Sequence, residues 1–136
     1  MTISFDINIF IYYLILEEFH GVLEMGFMQE EHGSILVEVV DLDRATLIDV
    51  EEFKKLLFQD IQTGWRKIII DISQCEFIDS TFLGTIVVAL KKISELGGKL
   101  RLVGIQPEVQ TMFQLTKMNR IFEIFENRED ALQSFM

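Results

Sequence analysis

From Leu47 the apolar residues fall at Val50, Phe53, Leu57 and Ile61. A spacing of about 3.6 residues marks one face of a helix, and Gln62, Thr63 and Gly64 end it. Upstream, Ser34 to Val40 (SILVEVV) is a short run rich in branched residues behind the turn-forming Glu31, His32 and Gly33. This pattern predicts a β-hairpin with Leu23 to Glu30. Lys67 to Ile72 (KIIIDI) is nearly all apolar, as expected of a central strand covered on both faces. After the loop Ser73 to Asp79, a second helical period runs through Leu83, Ile86, Val87, Leu90 and Ile93 to Gly97 and Gly98, and glycine suits the left-handed residue that closes a helix. Lys99 to Val103 alternates as a strand, Glu108 to Lys117 reads as a helix with Val109, Met112 and Phe113 inward, and Ile121 to Phe125 reads as the last strand. Asn127 then caps a final helix to Phe135. Strand and helix in turn after an opening hairpin predict an α/β fold, with a central mixed and mostly parallel sheet and helices packed on it.

Composition narrows the class. With 136 residues, 49% of them hydrophobic, the chain can close one core and leaves little for a second. Its formal net charge of −10 repels phosphate backbones, so nucleic acid is not an expected direct partner. Cys75 is the lone cysteine, which rules out an internal disulfide and a multi-cysteine metal site and fits a reducing compartment, the cytoplasm. The apolar run Ile9 to Leu16 is too short to span a bilayer, which needs about 20 such residues. Asp6 before it and Glu17-Glu18-Phe19 after it do not resemble an export signal. The pattern places the domain at 23–136 and leaves 1–22 as an extension of open role: an added strand or helix burying Phe10, Tyr12 and Leu14, a homodimer contact, or residues upstream of a start at Met25.

Chemistry concentrates in Phe77-Ile78-Asp79-Ser80-Thr81-Phe82-Leu83-Gly84-Thr85, where a loop delivers Ser80 to the start of the second helix. Unpaired backbone N–H groups and the positive end of the helix dipole stabilise an anion there. A phosphate on Ser80, about −1.5 to −2 in charge, would sit beside Asp79 and change the surface without unfolding the chain. A serine in this position is also an ordinary N-cap, and Asp79 is also an ordinary turn residue. Enzyme chemistry has little to build on. His20 and His32, the two histidines, lie upstream of the α/β core without a nucleophile at a suggestive spacing, and no phosphate-cradling glycine motif is present. No cofactor or metal is expected. Asp71 at the end of KIIIDI raises a receiver-like alternative phosphorylated on aspartate, which would need clustered acids for Mg²⁺, and no acidic pair ends the first strand. Glu51-Glu52 and Lys54-Lys55 read as solvated helix charges.

Ile78-Asp79-Ser80-Thr81-x-Leu83-Gly84, followed by Lys91-Lys92, Gly97-Gly98, Leu100-x-Leu102-Val103-Gly104 and Pro107, resembles the STAS domain of anti-sigma factor antagonists. The likeness runs from about Leu23 to Leu132 and takes in Asp43, Ile69-Ile70-Asp71-Ile72, Leu115-Thr116 before Ile121-Phe122, and Glu129-Asp130-Ala131-Leu132. It implies a STAS-like sheet and a regulatory binding domain, not an enzyme. In that family the serine after the motif's aspartate is phosphorylated by a partner that is both anti-sigma factor and serine kinase, a role that carries over to Ser80 with Thr81 in reserve. Asp43 and Asp79 would then flank the docking patch. The chain has Phe82 where the family usually has glycine, and Asp41 where glycine usually stands two residues before the aspartate matching Asp43. An aromatic at 82 would either pack inward or join Asp43, Asp79, Ser80 and Thr81 as a binding contact. Within the same family, accessory subunits of lipid transporters, stress-signalling complexes and tails of anion transporters are the rival roles.

Overall fold

The structure, a computed structural model, describes residues 26–136. The opening hairpin forms as β1 (Phe27–His32) antiparallel to β2 (Ile35–Val40), with His32 opposite Ile35. Glu31 and His32, expected in the turn, lie in the ladder. The turn needs only Gly33 and Ser34, because Gly33 adopts a φ of 63° and a two-residue loop opening on glycine matches the twist of the flanking strands. Leu23 to Met25, and the whole 1–22 extension with its possible dimer contact, lie outside the described residues.

The chain continues through β3 (Arg44–Ala45), a 3₁₀ turn at Leu47–Asp49 and α1 (Val50–Gln62). It then forms β4 (Lys67–Asp71), β5 (Phe77–Ile78), α2 (Ser80–Glu95), β6 (Lys99–Val103), α3 (Pro107–Leu115), β7 (Glu123–Phe125) and α4 (Arg128–Gln133). Two expectations shift. The first helix was read from Leu47, but Thr46 and Asp49 cap each other around a 3₁₀ turn and α1 starts three residues later. The last strand was read from Ile121, but the amides of Ile121 and Phe122 are spent on the carbonyl of Met118, so pairing with β6 begins at Glu123.

The main sheet runs β1-β2-β4-β6-β7, antiparallel only between β1 and β2. Side chains alternate across it. Ile68, Ile70, Ile72, Leu100 and Leu102 face the larger core under α1, α2 and α3, while Val37, Val39, Ile69 and Val103 meet Ala131 and Leu132 of α4. Gly104 follows β6 at φ 79°, and a Cβ there would lie 2.4 Å from that of Ser73. Only glycine lets these two connections lie this close.

Among the described residues, three buried carboxylates interrupt the apolar interior. Asp71 points to the α4 side, accepts from the amide and hydroxyl of Ser73, and is held at 2.9 Å by Arg128, whose guanidinium also grips both oxygens of Glu30 at 2.6 Å. The Arg128 hydrogen bond holds Glu30 below its usual range. On the other face Glu38 of β2 and Asp60 of α1, 1% and 6% exposed, share the amide of Gln29 at 2.6 and 3.0 Å. Each keeps one oxygen without a donor. Two such carboxylates cannot both stay ionised in a dry site, and desolvation pushes Glu38 up to about 10.

Candidate functional site

The second helix starts where it does because of Asp79. Its Oδ1 accepts from the amide of Phe82 at 2.8 Å and its carbonyl from that of Leu83 at 3.1 Å. The aspartate is therefore the N-cap, and Ser80 is the first helical residue with its hydroxyl free of capping duty. Ser80 and Thr81 are exposed, whereas Phe82 and Leu83 turn into the core. The other carboxylate oxygen of Asp79 accepts from the amide of Leu47 at 2.8 Å. Both oxygens are thus committed to the fold, and the turn-residue reading of Asp79 describes its bonds.

Asp43 reaches the same end of the molecule by backbone pairing. Its carbonyl accepts from the amides of Glu76 and Phe77 at 2.7 and 3.1 Å. Next to it β3 and β5 pair in parallel, Arg44 beside Phe77 and Ala45 beside Ile78. These loops follow β2 and β4, so Asp43, Asp79, Ser80 and Thr81 gather at the carboxyl ends of parallel strands, the edge where α/β sheets carry their sites. The Asp43 side chain is exposed. The Arg44 guanidinium lies 4.2 Å from the Phe77 ring centroid and partly covers that exposed aromatic.

Phe82 takes the inward of its two readings and leaves the surface set. It is fully buried, stacked on Phe53 with ring centroids 4.5 Å apart, and Phe53 stacks in turn on Phe27. A ring in the first turn of α2 thus fills core volume beneath Ser80 and is out of reach from the surface. The apolar surface beside Asp79 comes from residues outside the expected docking patch. Leu47, assigned to the buried face of α1, is 65% exposed and its neighbour Ile48 is 89% exposed. The Thr46 to Asp49 capping box, visible as a spacing, was the signal that Leu47 stands at a cap and not on the amphipathic face.

Other candidates fall away on geometry. Asp71 is 5% exposed and both its oxygens already accept hydrogen bonds, so it is not presented as a phosphoacceptor. Among the described residues no three acidic, histidine or cysteine side chains converge as a metal site. Burial and the nearby Asp71 carboxylate push the Cys75 thiol up to about 12, far from a nucleophile's range. His32 pairs only with Glu30 on the surface at 3.2 Å, and His20 lies outside the described residues. No described helix is long and apolar enough to cross a membrane.

Comparison with known proteins bears on the family and the fold. The family model described as STAS domain matches residues 34–131. A Thermotoga neapolitana protein named as an anti-sigma factor antagonist is 37% identical over 82 residues, 60% of this chain and 73% of that protein. The crystal structure of an anti-sigma factor antagonist from Thermotoga maritima superposes with a TM-score of 0.73 at 29% identity, covering 79% of this chain and 92% of that one. The phosphorylated form of the Bacillus cell-fate determinant SpoIIAA shares the fold, with a TM-score of 0.66 at 18% identity over 81% of this chain and 99% of that one.

Proposed function

Because the chain belongs to the STAS domain family, we propose that it is an anti-sigma factor antagonist that docks on an anti-sigma factor with serine kinase activity and is released by phosphorylation of Ser80. The observation that carries this reading is the placement of Ser80: exposed, first in α2, and relieved of capping by Asp79. A hydroxyl held this way is open to a kinase. The added phosphate would meet the helix dipole, which offsets part of its charge within the fold. Toward a partner the result is different, because two negative charges beside Asp79 and Asp43 would confront whatever had packed on a nearly neutral hydroxyl. Thr81, one position on and also exposed, is the reserve acceptor.

The relatives named as anti-sigma factor antagonists support the role of the partner, and the cytoplasm is the compartment that this partner implies. The test is direct. After incubation with the cognate kinase and ATP, phosphopeptide mapping is expected to place an acid-stable phosphate on Ser80. Ser80→Asp is expected to abolish binding to that kinase without changing the circular dichroism spectrum, and Ser80→Ala to bind constitutively. Equal affinity of both variants by calorimetry would reject the switch.

A further inference from the structure

A furrow runs between α1 and α2 on the face turned away from the sheet. Near Ser80 it has a volume of about 390 Å³, between Val50, Lys54 and Phe58 of α1 and Thr81, Gly84 and Val88 of α2. Beyond Phe58, which lines both, a second hollow opens between Gln62 of α1, Lys92 of α2 and Leu96 just past the end of α2. From Thr81 to Leu96 the helical rise makes the two together about 22 Å, the length of a helix of roughly 15 residues.

Two features make the furrow more than a seam between helices. Val88 and Leu96, 44% and 53% exposed, line it at helical spacing and give it apolar character. Gly84 lies in the middle of α2, where glycine costs about 1 kcal/mol relative to alanine, and a Cβ there would meet nothing within 4 Å. The fold therefore does not need a glycine at that position. Its effect is to keep one wall low enough for another backbone to approach.

Charge selects the occupant. The ammonium groups of Lys54 and Lys92 converge on the Phe58 ring, 5.6 and 5.1 Å from its centroid, one from each wall. These two ammonium groups make the middle of the furrow basic on a chain of net charge −10. Glu95 is the one acidic side chain lining it, at the end far from Ser80.

We propose that this furrow receives an amphipathic helix of the partner protein, with apolar side chains seated over Gly84 and Val88 and carboxylates meeting Lys54 and Lys92. The assignment rests on the regulatory reading above and deepens it. Thr81 forms the furrow's end nearest the switch, so a phosphate on Ser80 would add repulsion at the threshold of a groove that attracts acidic side chains.

The probe is a synthetic helix of roughly 15 residues, with leucines on one face flanked by glutamates, compared with a peptide carrying lysine at every glutamate position. Titrated into the ¹⁵N-labelled chain, the acidic peptide is expected to shift the amides of Phe58, Gly84 and Val88. It is expected to bind at least about tenfold more tightly than the basic peptide, a difference of about 1.4 kcal/mol. Lys54→Glu with Lys92→Glu should reverse that preference, and Gly84→Met should weaken both peptides while leaving the chain folded. Equal binding of the two peptides, or shifts confined to other surfaces, would overturn the assignment. The probe involves no phosphate chemistry, so its failure leaves the Ser80 switch standing, and failure of Ser80 to accept phosphate leaves the peptide footprint unchanged.

Discussion

Replacing Glu38 by glutamine should make the protein more stable at neutral pH, and more so as pH rises. Glu38 and Asp60 face each other in the core with one amide donor between them, and Glu38 holds its proton up to about pH 10, against an ordinary value of 4.5. A pKa raised in the folded state contributes stability that is complete below the unfolded value and is lost as pH climbs toward the folded one. Between pH 5 and 8 the native chain therefore keeps a proton that the unfolded chain has released, and stability falls by about 1.4 kcal/mol per pH unit. By pH 7 the accumulated cost is on the order of 3 kcal/mol, whatever the folded value above 8. Glutamine 38 would carry its donor without titrating. Asp60, itself raised by burial, belongs to the same shared-proton pair, whereas the lowered Glu30 acts below 4.5 and the raised Cys75 acts above 9. Urea denaturation followed by the fluorescence of Trp65, the single tryptophan, gives both slopes. Glu38→Gln should flatten the pH dependence and exceed the parent at pH 7.5 by a few kcal/mol. Parallel slopes, or a less stable variant at pH 7.5, would refute the shared proton.

Further variants probe the site's foundations. Phe82→Ala should cost about 3–5 kcal/mol by emptying the stack against Phe53, and a loss under about 1 kcal/mol in the same denaturation assay would mean that the ring is not core. Asp79→Ala removes two hydrogen bonds and should cost about 2 kcal/mol, with hydrogen exchange of the Leu47 and Phe82 amides accelerating selectively. Gly104→Ala combines a left-handed backbone with a Cβ at 2.4 Å from Ser73, so its melting temperature should fall by more than the roughly 4–8 °C that 1 kcal/mol produces in a domain near this size.

The layered fold was legible because its strands and helices carry different periods. KIIIDI announced a central strand and occupies one, and the stretch from Leu83 to Ile93 announced the inward face of α2. The position of Ser80 at the start of α2 was legible locally, whereas its regulatory reading came from the resemblance and the capping role of Asp79 from the structure. Three features stayed hidden because they depend on contacts across the chain. Leu47 looks like a helix-face residue until the amide of Leu47 is seen bonded to Asp79, 32 positions away. Phe82 could face either way until Phe53 is placed against it. The acidic pair is invisible in one dimension, since nothing near Glu38 in sequence points to Asp60.

The grip of Arg128 on Glu30 and Asp71 joins positions 98 and 57 residues apart. On the ribosome the hairpin and central strands emerge first, and for as long as translation has not reached codon 128 the Asp71 carboxylate has no cation to neutralise it. A nascent chain stalled before that point also lacks α4, so Asp71 still faces water and nothing ties Glu30 of β1 to the end of β4. The guanidinium thus works as a late latch, locking the beginning of the domain only when its end has been made.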